Sequence, residues 1–210
     1  MAKNYGLAIH TSSPELGLAM GKFGEPVRCQ TWHLGRDLST QLHQHISEFM
    51  PPQTWSDLQL IAVARGPGSF TGTRLGVVTA RTLAQQLDIP LFSISTLAAA
   101  TYDFAKDYHG NIAVEMPAQR GQLFVAIYQV SSQGLVTALA DSVMSPSQWE
   151  MLLSQQDKPL KKISLTGGLG HTSCAILEWA TLLWQQGNRP HWSEALPFYG
   201  QHPVQNLIAD

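Results

Sequence analysis

The sequence predicts an α/β protein of two related lobes, the second of them reduced. Three observations carry that prediction. The amino-terminal 33 residues read as an antiparallel strand meander. The stretch from Leu60 to Leu87 reads as a buried strand, a glycine-rich turn and an amphipathic helix. The same order, meander and then strand, glycines and helix, starts again after Tyr108.

Taken in order, Tyr5 to Thr11, Leu16 to Met20 and Val27 to His33 are the meander strands, separated by turns at Ser12-Ser13-Pro14 and Gly24-Glu25-Pro26. Leu38, Leu42, His45, Ile46 and Phe49 share one face of a helix that Pro51-Pro52 ends. The continuous apolar run Leu60 to Ala64 fits a strand covered on both faces. A helix from about Gly72 to Gln86 follows, then the strand Leu91 to Ile94, which completes a β-α-β unit, and a helix from Thr96 that Ser95 can cap. In the second half, strands are expected at 112–116, 122–128, 136–140 and 163–166, and helices at 147–153 and 175–183. The lobes are therefore drawn as 1–108 and 109–210.

Arg65-Gly-Pro-Gly-Ser-Phe-Thr-Gly-Thr-Arg74-Leu-Gly76 is the densest signal in the chain. Gly66, Pro67 and Gly68 can make a tight turn, and Ser69 or Thr71 can cap the helix that follows. First-turn amides left free there suit an anion or carboxylate. The spacing matches neither a Gly-Lys-Ser/Thr phosphate loop nor GxGxxG. Three roles stay open for it: a ligand-contacting loop, a tight connection serving a protein interface, and a purely structural turn. Gly72 and Gly76 inside the helix favour close packing, because a mid-helix glycine costs roughly 0.5–1 kcal/mol.

Composition excludes several classes. At 210 residues the chain can bury a core without a metal or disulfide. Net charge is −2, and charged residues make up only 13%, so the chain is poorly equipped to hold nucleic acid alone. A sparsely charged surface favours a protein partner. Cys29 and Cys174 are distant in sequence without a CxxC, and two free thiols in a reducing compartment are expected. No signal peptide or membrane span is read, so no membrane partner and a cytoplasmic location are expected.

Other candidates are weighed by chemistry. His10 and Thr11 end the first strand; no Ser or Cys nucleophile with an orienting acid accompanies His10, so a polar strand end competes with a ligand role. His33, His43 and His45 do not make a metal site, because His43 and His45 point to different helix faces and no HExxH occurs. Arg65 and Arg74 can reach a phosphate, or else pair with carboxylates across lobes or subunits. Gly167-Gly168-Leu169-Gly170 is a second strand-to-helix turn able to cradle phosphate, or simply to close the second lobe.

The residues Ala64 to Gly76, with Ile94-Ser-Thr-Leu97, resemble the TsaB (YeaZ-like) family. Met116 to Phe124 and Pro197-Phe198-Tyr199 resemble later segments of that family more weakly. The resemblance implies two actin-like, ribonuclease-H-like lobes, complete at the amino end and reduced at the carboxyl end. It implies a non-catalytic subunit in the transfer of a threonylcarbamoyl group to adenosine 37 of tRNAs reading ANN codons. Its implied partners are the catalytic paralogue TsaD, the ATPase TsaE and, through the complex, tRNA. No cofactor is expected for this subunit itself; ATP or ADP with magnesium would belong to the assembled complex. The family's first strand usually ends Asp-Thr, where an acid can help hold metal and phosphate. Here His10-Thr11 stands in that place, and imidazole is not a hard oxygen ligand. The competing function is an actin-like ATPase, kinase or acyltransferase acting on its own.

For such a partner, the expected surface comprises Leu38, Leu42, His45 and Phe49 on the first helix, with Gly72, Arg74, Leu75, Gly76, Val78 and Thr79 on the second. In this reading Leu75 and Val78 form an apolar centre and the glycines permit close approach. The same surface could pair two copies as a homodimer. The candidate ligand residues are His10, Thr11, Arg65, Gly66, Gly68, Ser69, Gly167, Gly168 and Gly170.

Overall fold

Two sheets divide the chain. The computed structural model describes residues 4–106, 108–156 and 158–200. The first sheet contains β1 (Tyr5–His10), β2 (Glu15–Lys22), β3 (Arg28–His33), β4 (Leu58–Ala64) and β5 (Leu91–Ile94) in the order β3-β2-β1-β4-β5. Its first three strands are antiparallel and the last two join parallel. The second sheet has the order β8-β7-β6-β9, from β6 (Gly110–Pro117), β7 (Leu123–Ser131), β8 (Gly134–Met144) and β9 (Leu160–Ser164). It repeats the antiparallel trio and parallel addition of the first sheet with one parallel strand fewer. This is the actin-like plan, complete in the first sheet and shortened in the second.

Among the described residues five α-helices fill the layers: α1 (Leu38–Phe49), α2 (Phe70–Leu87), α3 (Thr96–Phe104), α4 (Pro146–Ser154) and α5 (Ser173–Gln185). Strand alternation explains where each goes. One face of the first sheet presents Leu7, Ile9, Leu16, Leu18, Ile61 and Val63, large side chains that pack against Leu42, Ile46 and Phe49 of α1 and Val77, Ala80 and Ala84 of α2. The opposite face is lined with small residues. Ala8, Ala19, Ala62 and Ala64 lie in one buried cluster with Leu97 of α3 and Ile176, Leu177 and Ala180 of α5. Missing side-chain bulk lets α5 and the turn before it come close: a Cβ on Gly6 would meet Leu177, and one on Gly17 would meet the Gly170 carbonyl.

That cluster continues into Ile112, Val114, Phe124, Ala126 and Tyr128 of the second sheet. A separate cluster of Ala113, Val125, Ile127 and Trp149 seats α4 on the sheet's far side. The layers therefore run α1/α2, first sheet, α3/α5, second sheet, α4. The last helix of the carboxyl half packs on the amino-terminal sheet, so one core crosses the 108/109 line.

Caps hold the helix starts. Ser69 Oγ accepts from the Gly72 amide, Ser95 Oγ from the Leu97 and Ala98 amides, and Ser145 from Gln148. The expectation of two free thiols is overturned: Cys29 on β3 and Cys174 in the first turn of α5 are disulfide-bonded, with Cα atoms 5.9 Å apart. Chain separation hid the pair, because β3 and α5 become neighbours only when α5 returns to the first sheet.

Candidate functional site

The two glycine turns and the end of β1 meet at the seam between the lobes. The Ser69 amide donates to the Ser12 carbonyl at 2.7 Å. Thr11 Oγ1 donates to the Gly72 carbonyl at 2.8 Å. Gly66 sits at φ 94°, a conformation that disfavours any side chain. Its carbonyl accepts from the Thr96 amide at 2.9 Å. From the opposite end of the chain, the Phe198 amide donates to the Arg65 carbonyl at 2.7 Å, and Tyr199 stacks on Phe70 with ring centroids 4.5 Å apart. Added Cβ atoms would meet the Phe198 carbonyl at Gly66, the Ser12 carbonyl at Gly68, the Thr11 carbonyl at Gly72 and Thr11 Oγ1 at Gly76. The close approach that the sequence signals is therefore made by the chain's own backbone and tail.

The second turn meets a carboxylate. The Gly170 amide donates to Glu15 Oε2 at 2.8 Å. Glu15 is buried, and its Oε1 lies 3.0 Å from His33 Nδ1. Gly168, at φ 68°, would place a Cβ against the same carboxylate, whereas Gly167 has open space around it. An acidic side chain thus occupies the donor side of this turn, where an anion would otherwise bind.

His10 lies between the two turns and is fully buried, with neither ring nitrogen hydrogen-bonded. Burial, helped by the charge of His171, lowers its pKa to about 3, so the ring is neutral at pH 7.

Beside the first turn the lobes share a polar cluster that sequence reasoning missed. Arg65 Nη2 pairs with Asp141 Oδ2 at 3.0 Å, joining β4's end to β8. Ser95 Oγ at 2.7 Å and Tyr128 OH at 3.1 Å both donate to Asp141 Oδ1. Burial pushes the Asp141 carboxyl above its ordinary value, and the donors from Ser95, Arg65 and Tyr128 only partly offset this. Burial, reinforced by Asp141, likewise raises the Tyr128 phenol. Pairing across the lobes is the role the guanidinium of Arg65 takes, while its exposed side opens on a cleft of about 700 Å³ that also includes Ser93 and Arg189. Arg74 instead lies 5.3 Å over the Phe70 ring. No motif marked Asp141, and only a contact across 76 residues identifies it.

The expected partner surface needs correction. Leu38, Leu42 and Phe49 are buried in the chain's own core, as are Gly72, Gly76 and Thr79. His45 packs on Trp32, with ring centroids 4.7 Å apart. The apolar stripe read from spacing faces the first sheet, so these glycines serve internal packing against Thr11. α2 shows solvent Phe70, Arg74 and Val78, the last 53% exposed, along with polar Thr71, Thr82, Gln85 and Gln86, and Leu75 is partly covered.

The residues present do not fit a nucleotide with its magnesium as an actin-like site would hold them. His10 and Thr11 end β1 without a carboxylate, the first turn is packed by backbone, and the second faces Glu15. Among the described residues, no three His, Cys, Asp or Glu side chains converge as a metal site. No described helix is long and apolar enough to cross a membrane.

Known proteins agree with this architecture. The family model described as TsaD, tRNA N6-adenosine threonylcarbamoyltransferase, matches residues 36–180. The tRNA threonylcarbamoyladenosine biosynthesis protein TsaB of Bacillus subtilis (strain 168) is 33% identical over 159 residues, covering 73% of this chain and 68% of that protein. Its Escherichia coli (strain K12) namesake is 33% identical over 81 residues, 38% of this chain and 35% of that one. Among solved structures, YeaZ from Pseudomonas aeruginosa superposes with TM-score 0.73 at 21% identity, covering 93% of this chain and all of that one. A second crystal structure, of an uncharacterized protein with similarity to peptidase YeaZ from Pseudomonas aeruginosa, gives TM-score 0.76 at 20% identity over 96% of this chain and all of its own. These structural likenesses speak for the fold alone; the family model and the B. subtilis relative show that the chain belongs to the TsaD-type family, within its TsaB group.

Proposed function

We propose that this chain is a non-catalytic scaffold subunit in tRNA threonylcarbamoyladenosine biosynthesis. It binds a catalytic TsaD paralogue, supporting transfer of a threonylcarbamoyl group to adenosine 37 of tRNAs reading ANN codons. The observation that carries this reading is the contrast between a first glycine turn filled by the chain itself and an open helix face. The first turn is filled by the chain's own backbone and the Gly170 amide of the second is taken by Glu15, whereas α2 displays Phe70, Arg74 and Val78 beside Tyr199. An aromatic and aliphatic patch with an arginine has the composition of a protein interface.

In this reading tRNA and TsaE are reached through the assembly, and ATP or ADP with magnesium belongs to its other subunits. A homodimer would use the same face when TsaD is absent, and the work would take place in the cytoplasm.

The test is transfer reconstituted from separately purified components of one source, with and without this chain. Loss on omission, with no transfer by this chain alone, is the expected result. Undiminished transfer on omission, or magnesium-dependent ATP turnover by the isolated chain that a point substitution abolishes, would overturn the proposal.

A further inference from the structure

We propose that Cys29 and Cys174 form a reversible thiol–disulfide couple that staples the edge strand β3 to the start of α5. These are the chain's only two cysteines, 145 residues apart, and the fold brings them into a bond with Cα atoms 5.9 Å apart. Strand alternation places Cys29 on the same sheet face as its pair partner Ala19, the face that α5 covers.

The two sulfurs sit in different surroundings. Cys29 lies on the exposed edge strand, open to a small thiol; Cys174 is half-buried as the second residue of a 13-residue helix. A thiolate in solution attacks the sulfur it can reach and expels the one that is covered. Exchange therefore has a direction. The thiolate of glutathione attacks Cys29 Sγ, the protein's S–S bond breaks, and Cys174 departs as the thiolate. A second glutathione thiolate attacks its own sulfur in the mixed disulfide and releases Cys29. Glutathione disulfide leaves, and the protein has gained two electrons and two protons.

The fold does not depend on the bond. α5 is seated by buried Ile176, Leu177 and Ala180, and its entry is fixed by the Gly170 amide on Glu15. Reduction consequently frees β3 without dismantling the seam: β3 then keeps its ladder to β2 but loses its covalent tie to the middle layer.

The test uses the purified full chain in graded mixtures of reduced and oxidised glutathione, quenched with acid and labelled with a maleimide of visible mass. The expected result is a passage from unlabelled to doubly labelled protein with less than about a tenth singly labelled. Amide exchange in Arg28–His33 should accelerate at least tenfold on reduction while that of β7 stays constant. Independent labelling of the two thiols, or unchanged exchange in β3, would overturn the couple or its role as a staple. Treated with oxidised glutathione, Cys174→Ser should take the adduct on Cys29 at least fivefold faster than Cys29→Ser takes it on Cys174. Equal rates would overturn the assignment of Cys29 as the attacked sulfur, and the two wild-type measurements stand without either variant.

Discussion

The turn after β4 and the turn after β9 look alike in sequence: each follows a strand, is rich in glycine and opens a helix. The fold treats them differently. Backbone fills the first, from the β1–β2 turn on one side and the Phe198 segment on the other. The second is held at one end by a carboxylate, Glu15, and a Cβ added at its Gly167 would meet nothing within 4 Å. A glycine-rich strand-to-helix turn thus reports that something approaches the backbone, and only tertiary structure says whether that is a ligand or the chain itself.

The difference is sharpest under substitution. Gly76→Arg drives a long side chain into Thr11 inside the buried α2–β1 contact, where the Thr11 hydroxyl is held on the Gly72 carbonyl. Overpacking of this size should cost more than about 4 kcal/mol and leave little folded protein in a thermal or urea melt. Gly167→Ala meets no atom and suffers only its φ of 105°, for about 1 kcal/mol. Equal losses at the two turns would break the comparison.

His10, lying between the turns, gives the next largest effect. Its folded pKa is depressed to about 3 from 6.5, so below pH 6.5 the unfolded chain takes up a proton that the folded chain refuses. Stability is therefore lost as pH falls from 6.5 toward 3 and is unaffected by this group above that window. Between pH 7 and pH 4 the loss should be about 3 kcal/mol. His10→Leu removes the titration together with two unpaired buried nitrogens. Urea melts across that range should show a correspondingly shallower decline for the variant, at least as stable as wild type at pH 7. Parallel curves would mean that the ring takes up its proton in the folded state.

A smaller effect tests the second turn alone. Glu15→Ala strips the Gly170 amide of its acceptor and should cost roughly 1–2 kcal/mol. If the turn is an anion cradle satisfied from within, millimolar inorganic phosphate should raise the melting temperature of this variant and leave wild type unmoved. No rescue would make it a packing turn like the first.

Much of the fold was legible because the periodicity was strong. α1 spans Leu38–Phe49 and β5 spans Leu91–Ile94, as read, and the strand meanders and the caps at Ser69 and Ser95 were visible as patterns. The site was less so. Spacing shows that Leu38, Leu42 and Phe49 share a face but not whether that face meets core or partner, and here the first sheet claims it. Asp141, Glu15 and the cysteine pair act over 76, 155 and 145 residues of separation, beyond the reach of any local signal.

The smallest effect on stability carries the most functional information. Val78 is 53% exposed on the outer face of α2, one turn beyond Arg74 and two beyond Phe70. Val78→Asp touches neither glycine turn, so its stability in a urea melt should match wild type within about 0.5 kcal/mol. If the α2 face receives TsaD, a buried unpaired carboxylate at its centre should weaken binding by at least tenfold in calorimetry. This separates two roles of one helix, since Gly76 faces Thr11 and Val78 faces solvent. Wild-type affinity in Val78→Asp would move the partner to another surface and leave the glycines of α2 with packing alone.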